Sequence, residues 1–153
     1  MLSIFRLFKS VYDLVHPTIK FLTDVLPEYK TYGSACFDIM VDESYTLKPG
    51  ELHNFPTGLR AEIPHNYCVL IFPRSSLGQK KIIIPNSVGV IDSDYRGEIQ
   101  VPLFNLSDEE RTVMLGDRVA QGLLVSAKQC TMMKVDFLTE SKRGSGGFGS
   151  TGK

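Results

Sequence analysis

The sequence has no tryptophan, only three cysteines and three histidines in 153 residues, and no excess of either charge. Cys36, Cys68 and Cys130 are odd in number and widely spaced, with no C-x-x-C pair. That argues against a disulfide framework or a cysteine zinc site and fits a reducing compartment. His16, His53 and His65 show no HxH, HxxxH or HExxH spacing, so they do not suggest a histidine-held catalytic zinc and read as surface or loop residues. Lys+Arg and Asp+Glu both number 17. A general nucleic-acid or membrane-surface binder is expected to carry a basic excess, so phosphate chemistry here belongs to a local site. No apolar run approaches the roughly 20 residues needed to cross a bilayer.

What is present is ordinary globular chemistry, 42% hydrophobic and 22% charged, in a chain the size of one domain and long enough to bury a core. Phe5, Phe8, Tyr12 and Val15 recur at helical spacing, with Arg6, Lys9 and Asp13 between them. This reads as a short amphipathic helix, or a tail docked on a neighbour. The first dozen residues contain no acid, a feature shared with organelle-targeting peptides, but Arg6 and Lys9 interrupt the apolar run too early for a secretory signal. The expected location is the cytoplasm, or the host-cell interior if the source is viral.

After Pro27 the chain is punctuated densely by Gly33, Pro49-Gly50, Pro56, Gly58, Pro64, Pro73, Gly78, Pro85, Gly89, Gly97, Pro102, Gly116 and Gly122. Between these breaks lie short β-branched and aromatic runs, such as residues 67–72, 81–84 and 100–104. Short strands at this spacing predict a β-sandwich or barrel. The prolines, lacking an N–H, are expected at edges, bulges and strand ends. Helix is scarce: 79–87 could hold one turn, although Ile82-Ile83-Ile84 reads better as strand, and 115–121 competes weakly. Glu109-Glu110-Arg111 reads as a solvated hairpin tip. From Arg143 the sequence, Arg-Gly-Ser-Gly-Gly-Phe-Gly-Ser-Thr-Gly-Lys, has almost nothing to bury. It reads either as a floppy tail or as a phosphate-cradling segment with one aromatic face, Phe148. The GxxxxGK match at 147–153 is not a P-loop, because no Ser/Thr and no helix follow it.

Two segments carry candidate chemistry. Pro73-Arg74-Ser75-Ser76-Leu77-Gly78 sets a bidentate donor and two hydroxyls beyond an apolar strand, a plausible anion site. Asn86-Ser-Val-Gly-Val-Ile-Asp-Ser-Asp-Tyr-Arg-Gly97 brings two acids after Val90-Ile91. In an extended chain Asp92 and Asp94 share a face; in a hairpin turn they cap backbone N–H groups instead. The Asn86 amide both donates and accepts, which suits a pyrimidine edge.

Five stretches, in order, resemble the signature motifs of the trimeric dUTP pyrophosphatases: Gly33-Ser-Ala-Cys-Phe-Asp-Ile39, 73–78, 86–97, Gly116-Asp-Arg-Val-Ala-Gln121 and 143–152. The resemblance implies an all-β, distorted barrel of jelly-roll type, with residues 1–27 an N-terminal extension, 28–140 the catalytic barrel and 141–153 a mobile Gly-rich lid. It implies a homotrimer, with the tail closing over a neighbour's site, and a magnesium-assisted hydrolysis of dUTP to dUMP and pyrophosphate. That reaction limits uracil incorporation into DNA and supplies dUMP for dTMP synthesis. No nucleic-acid or membrane partner is implied.

Carried over by position, Asp92 is the general base for the water that attacks the α-phosphorus. Asn86, with main-chain groups around Gly89, Val90, Ile91 and Gln100, reads uracil, and Tyr95 packs under the deoxyribose. Arg74, Ser75 and Ser76 hold phosphate oxygens, with Gln121 at the α-phosphate. Arg143 reaches the γ-phosphate, Phe148 stacks on the base, and Ser145, Gly149, Ser150 and Thr151 add phosphate contacts. Magnesium is held mainly by the phosphates, with Asp38 at most near its waters or a structural Arg. Cys36 and Phe37 depart from the usual pattern. The rival within the fold is a dCTP deaminase, which shares Arg-Ser-Ser but works with a catalytic Glu. A non-enzymatic binder is the other, and the intact Asp92, Tyr95 and tail weigh against both.

Overall fold

Residues 52–62 alternate in character, and the alternation decides which side is buried. Phe55, Thr57, Leu59 and Ala61 turn inward, while Asn54, Gly58 and Arg60 turn to solvent. In the computed structural model, which describes residues 17–147, this segment is the longest strand, β4 (Leu52–Glu62). The other strands are β1 (Lys20–Leu22), β2 (Phe37–Met40), β3 (Tyr45–Leu47), β5 (Tyr67–Pro73), β6 (Ile82–Ile83), β7 (Gly89–Ile91), β8 (Glu98–Asn105), β9 (Arg111–Val113) and β10 (Arg118–Ser126). They form two four-stranded antiparallel sheets, β1-β4-β8-β6 and β2-β10-β5-β7, and a small β3-β9 ribbon. Phe55, Ile99, Val101 and Leu103 from the first sheet share one buried cluster with Phe37, Ile39, Val69 and Ile71 from the second. The ribbon adds Leu47 and Val113 to the same cluster. The architecture is all-β, as the spacing of breaks predicts.

Three details differ from the sequence expectation. The one helix among the described residues, α1 (Ser75–Gln79), starts before the stretch anticipated for it; residues 115–117 turn, and β10 follows. β1 pairs with β4, so the first sheet begins earlier than residue 28. Pro56 borders a bulge and Pro73 ends a strand, but Pro102 lies inside β8. There it is tolerated because β6 is two residues long and pairs only with Phe104 and Asn105, leaving the other side of Pro102 without a ladder to serve. The expected amphipathic segment over 1–15 lies outside the described residues.

Two polar devices fix the turns that position the site. Asn105 is fully buried and donates to the carbonyls of Leu47 (3.1 Å) and Glu109 (2.8 Å), while its Oδ1 accepts from the backbone and hydroxyl of Ser107. The register of β4 against β8 slips between Pro56 and Arg60. Gly58 takes φ +65 there, and Glu98 Oε1 accepts the N–H groups of Thr57 (3.2 Å) and Gly58 (2.9 Å). The bulge thus has its freed donors satisfied by the first residue of β8.

Candidate active site

β7 belongs to the second sheet and β8 to the first, so residues 92–97 carry the chain from one sheet to the other. A turn does this, with the Tyr95 N–H donating to the Asp92 carbonyl at 3.2 Å. The two acids therefore stand in a turn rather than on one extended face. Among the described residues no donor reaches the Asp92 carboxylate; it is exposed and free to accept from water. The Tyr95 hydroxyl donates to the Glu98 carbonyl at 2.9 Å, laying the ring back along the turn. A Cβ on Gly97 would fall 2.3 Å from the Tyr95 oxygen and 2.5 Å from the ring. Only glycine leaves room for that ring.

The turn edges a cleft of about 330 Å³. Its walls are Val90, Ile91, Asp92 and Tyr95 on one side, with Ile99 and Gln100 from β8 on the other. Five residues anticipated from the sequence thus meet here: Val90, Ile91, Asp92, Tyr95 and Gln100. Asn54 and Pro102, which share a cross-strand position, also line it. Asn54 escapes sequence reasoning because no local pattern marks it; only the β4–β8 register carries it to the cleft. Gly89 sits flat on Ile71, where an added Cβ would come within 3.2 Å of the Ile71 side chain. Asn86 is exposed, next to Ser87 with φ +63, and its amide nitrogen lies 4.0 Å from that same Gly89 position rather than in the cleft.

The anion-site candidates gather at the far end of β5. Arg74 follows the strand in an extended conformation and opens α1, leaving Ser75 and Ser76 exposed in its first turn. The Asp38 carboxylate, 12% exposed, takes Arg74 Nε at 3.3 Å and Arg118 Nη1 at 3.1 Å. Gln121 stands opposite Asp38 in the β2–β10 register and donates its amide to the Pro73 carbonyl at 3.1 Å. Of the two roles anticipated for Asp38, the structure displays the arginine partnership, since both oxygens are engaged. Cys36, two residues away, has its thiol pushed up by burial. Phe37 covers Gly122, where a Cβ would meet its ring at 2.3 Å, and takes Phe21 and Tyr29 edge-on. Arg143 and Ser145 are exposed in a turn closed by the Gly146 carbonyl accepting from Arg143 Nε; Phe148, Gly149, Ser150 and Thr151 lie outside the described residues.

Replacing Asp38 by Asn keeps the shape but removes the charge that two guanidinium groups share. Because those groups are 30% and 42% exposed, the expected loss is about 1–3 kcal/mol, below the range for a fully buried pair. Calorimetry checks it, and a melting temperature equal to the parent would mean the pairing adds nothing.

These two clusters have the residue content of a known catalytic family, and comparison with known proteins decides which. The family model dUTPase matches residues 24–152. The chain belongs to the dUTPase family. Among its relatives, the deoxyuridine 5'-triphosphate nucleotidohydrolase of Finegoldia magna is 45% identical over 130 residues, covering 83% of this chain and 91% of the relative. That of Neisseria meningitidis is 44% identical over 135 residues, covering 86% and 90%. The dUTPase of Streptococcus mutans superposes with a TM-score of 0.69 at 29% identity, covering 74% and 98%. A Staphylococcus bacteriophage 80alpha dUTPase solved with dUpNHpp superposes with a TM-score of 0.82 at 24% identity over 90% and 99%, a likeness of fold.

Proposed function

We propose that this dUTPase splits dUTP into dUMP and pyrophosphate using water activated by Asp92, and that each working site is shared between chains of a homotrimer. The observation that carries the second half is a distance. Ile91 pairs with Val69, and Arg74, just past the end of β5, lies five residues further along the chain. At roughly 3.3 Å per residue the Asp92 end and the Arg74 end of β5 are about 17 Å apart. The α- and γ-phosphorus atoms are separated by only two bridging oxygens and one phosphorus. A single chain would have to close that gap with its side chains alone, so the separation favours a second copy supplying the clamp. The segment after β10 supports this assembly: Met132, Met133, Val135, Phe137 and Leu138 are all at least half exposed, an apolar run that another copy would cover.

The chemistry follows from the free carboxylate. Asp92 accepts a proton from water as its oxygen bonds to the α-phosphorus, and the bond from that phosphorus to the oxygen bridging to the β-phosphate breaks, releasing pyrophosphate. Val90, Ile91 and Gln100 hold the uracil in the cleft, where strand backbone pairs its edge and leaves a cytosine mismatched. Tyr95 lies under the sugar. Arg74, Ser75, Ser76 and Gln121 of a neighbouring copy hold the phosphate chain, and the tail around Arg143, Ser145, Phe148 and Gly149 closes over it to exclude water.

Magnesium suits this donor set. Among the described residues no three His, Cys, Asp or Glu side chains meet as a cage, and both Asp38 oxygens are taken. An ion carried by the triphosphate oxygens and its waters is the mode this metal favours; bound so, it would neutralise charge developing on the leaving pyrophosphate. The reaction would limit uracil in DNA and supply dUMP for dTMP synthesis. The three free cysteines, Cys36, Cys68 and Cys130, support a reducing compartment, cytoplasm or host-cell interior.

Mixing two inactive variants tests the shared site. Arg74→Gln and Asp92→Asn, each nearly inactive alone, are co-refolded at equal ratio, and dUMP release is followed. Random assembly then pairs an intact Asp92 with an intact Arg74 at about a quarter of sites, given a closed ring of heterologous contacts. No gain over the sum of the separate variants would mean that each chain builds its own site.

A further inference from the structure

The turn over 92–97 crosses between the two sheets, and its hold on the rest of the molecule is narrow. The cleft walls are secured by ladders: Gly89, Val90 and Ile91 by β5, and the β8 residues by β4. The turn itself has no ladder. Its internal bonds are the Tyr95 N–H to the Asp92 carbonyl and the Tyr95 hydroxyl to the Glu98 carbonyl. Among the described residues, two side chains from 92 to 97 bond beyond the turn: Tyr95, to the Glu98 carbonyl where β8 begins, and Arg96, which alone reaches β4. Its Nη1 donates to the Ser93 carbonyl at 2.8 Å, to the Tyr95 carbonyl at 2.9 Å, and reaches the Ala61 carbonyl of β4 at 3.5 Å. Two of those acceptors flank the residues that carry chemistry, Asp92 and Tyr95, and the third belongs to the first sheet.

We propose that Arg96 is a positioning residue for Asp92, acting through the turn. This rests on the reading of Asp92 as the base. A guanidinium is suited to the task because it is permanently charged and planar, and its bonds to neutral carbonyls are strengthened by that charge. Without it the Ser93 and Tyr95 carbonyls of the exposed turn bond to water and the ladders of the two sheets stay intact, so the fold survives, but Asp92 gains freedom to swing from its place against the α-phosphate. An error of about 1 Å in such a group is enough to lower a rate roughly a hundredfold. Uracil binding is spared, because β7 and β8 are held by their own strand partners.

The test compares Arg96→Met and Arg96→Lys with the parent and with Asp92→Asn, all as assembled full-length enzyme. For Arg96→Met, kcat for dUTP falls roughly ten- to a hundredfold while KM stays within about threefold. Arg96→Lys, which keeps a charged donor for the nearer carbonyls, recovers part of that loss. Amide hydrogen exchange quickens in the 92–97 peptide and stays unchanged in β4 and β8. If Arg96→Met fails to fold, Arg96→Lys carries the same readouts by itself. A kcat equal to the parent beside an inactive Asp92→Asn overturns this proposal and leaves the base reading standing. So does a rise in KM with kcat unchanged, or a lysine variant no better than methionine. An Asp92→Asn variant with full activity overturns the base reading and this proposal together.

Discussion

Replacing Asp92 by Asn lowers kcat for dUTP by about 10²–10⁴ and moves KM little, the range expected when a general base is removed. The substitution isolates the proton transfer. Asn occupies the same volume on the same turn, and its amide oxygen can still orient a water, but it cannot take the proton. No side chain or backbone donor among the described residues depends on the Asp92 carboxylate, so the turn keeps its Tyr95 N–H bond and its Arg96 brace. On the proposed reading the uracil is held by Val90, Ile91 and Gln100, which the change leaves intact, and the effect therefore falls on kcat. Separating the nucleotide products after incubation with magnesium and dUTP, dCTP, dTTP or UTP measures both rate and selectivity. A loss smaller than about tenfold would remove Asp92 from the base role, since that is below what such catalysis normally provides. Conversion of dCTP to a uracil nucleotide would instead place the chain among deaminases.

Gly97→Ala is the second large effect, and it reaches the site by displacement. The new methyl would lie 2.3–2.8 Å from three atoms of the Tyr95 phenol, closer than carbon atoms approach without moving. The phenol is partly exposed and swings away, breaking its bond to the Glu98 carbonyl. On the proposed reading, in which Tyr95 packs under the deoxyribose and excludes a 2′-hydroxyl, displacing the ring removes that exclusion. Preference for dUTP over UTP falls on the order of 10- to 200-fold, the discrimination that one misfitting group in a close pocket commands. The ratio of kcat/KM for the two nucleotides reads it directly, and Tyr95→Ala should reproduce it without the steric clash. An unchanged ratio in both variants would show that the sugar is sorted elsewhere.

The glycine also illustrates how much could be read before the structure. A lone Gly after Asp-Tyr-Arg marks a turn, which sequence rules recognise; that it must be Gly because a phenol lies across it depends on how the turn folds back. The strands themselves were largely legible. Runs 67–72 and 100–104 lie within β5 and β8, because their β-branched and aromatic residues favour a pleated, half-buried surface. The preference for strand at the isoleucines is met by β6, and the helical turn falls earlier than 79–87 for a local reason. Ser75 and Ser76 start the helical turn directly after Arg74, and Lys81 with φ +56 ends it before the isoleucines.

The site divides along the same line. Motif order and residue type named Asp92, Tyr95, Arg74, Ser75, Ser76 and Gln121, and five of the anticipated residues do meet at one cleft. Three features were out of reach. An arginine partner for Asp38 was anticipated, but not that two would share it, Arg74 and Arg118; Asn54 enters the cleft through the β4–β8 register, and Glu98 closes a bulge in β4 through its carboxylate. None has a spacing that could announce it.

The sequence by itself determined the β class, the turn positions and the chemical vocabulary of the site, because each depends on neighbouring residues and on the two-residue period of a strand. Only the tertiary structure decided that Asp92 and Arg74 stand toward opposite ends of β5, and that Arg96 reaches from the 92–97 turn to the Ala61 carbonyl of β4. Those facts arise from which distant strands pair and in what register, and register is set by the burial of whole faces rather than by any local run of residues.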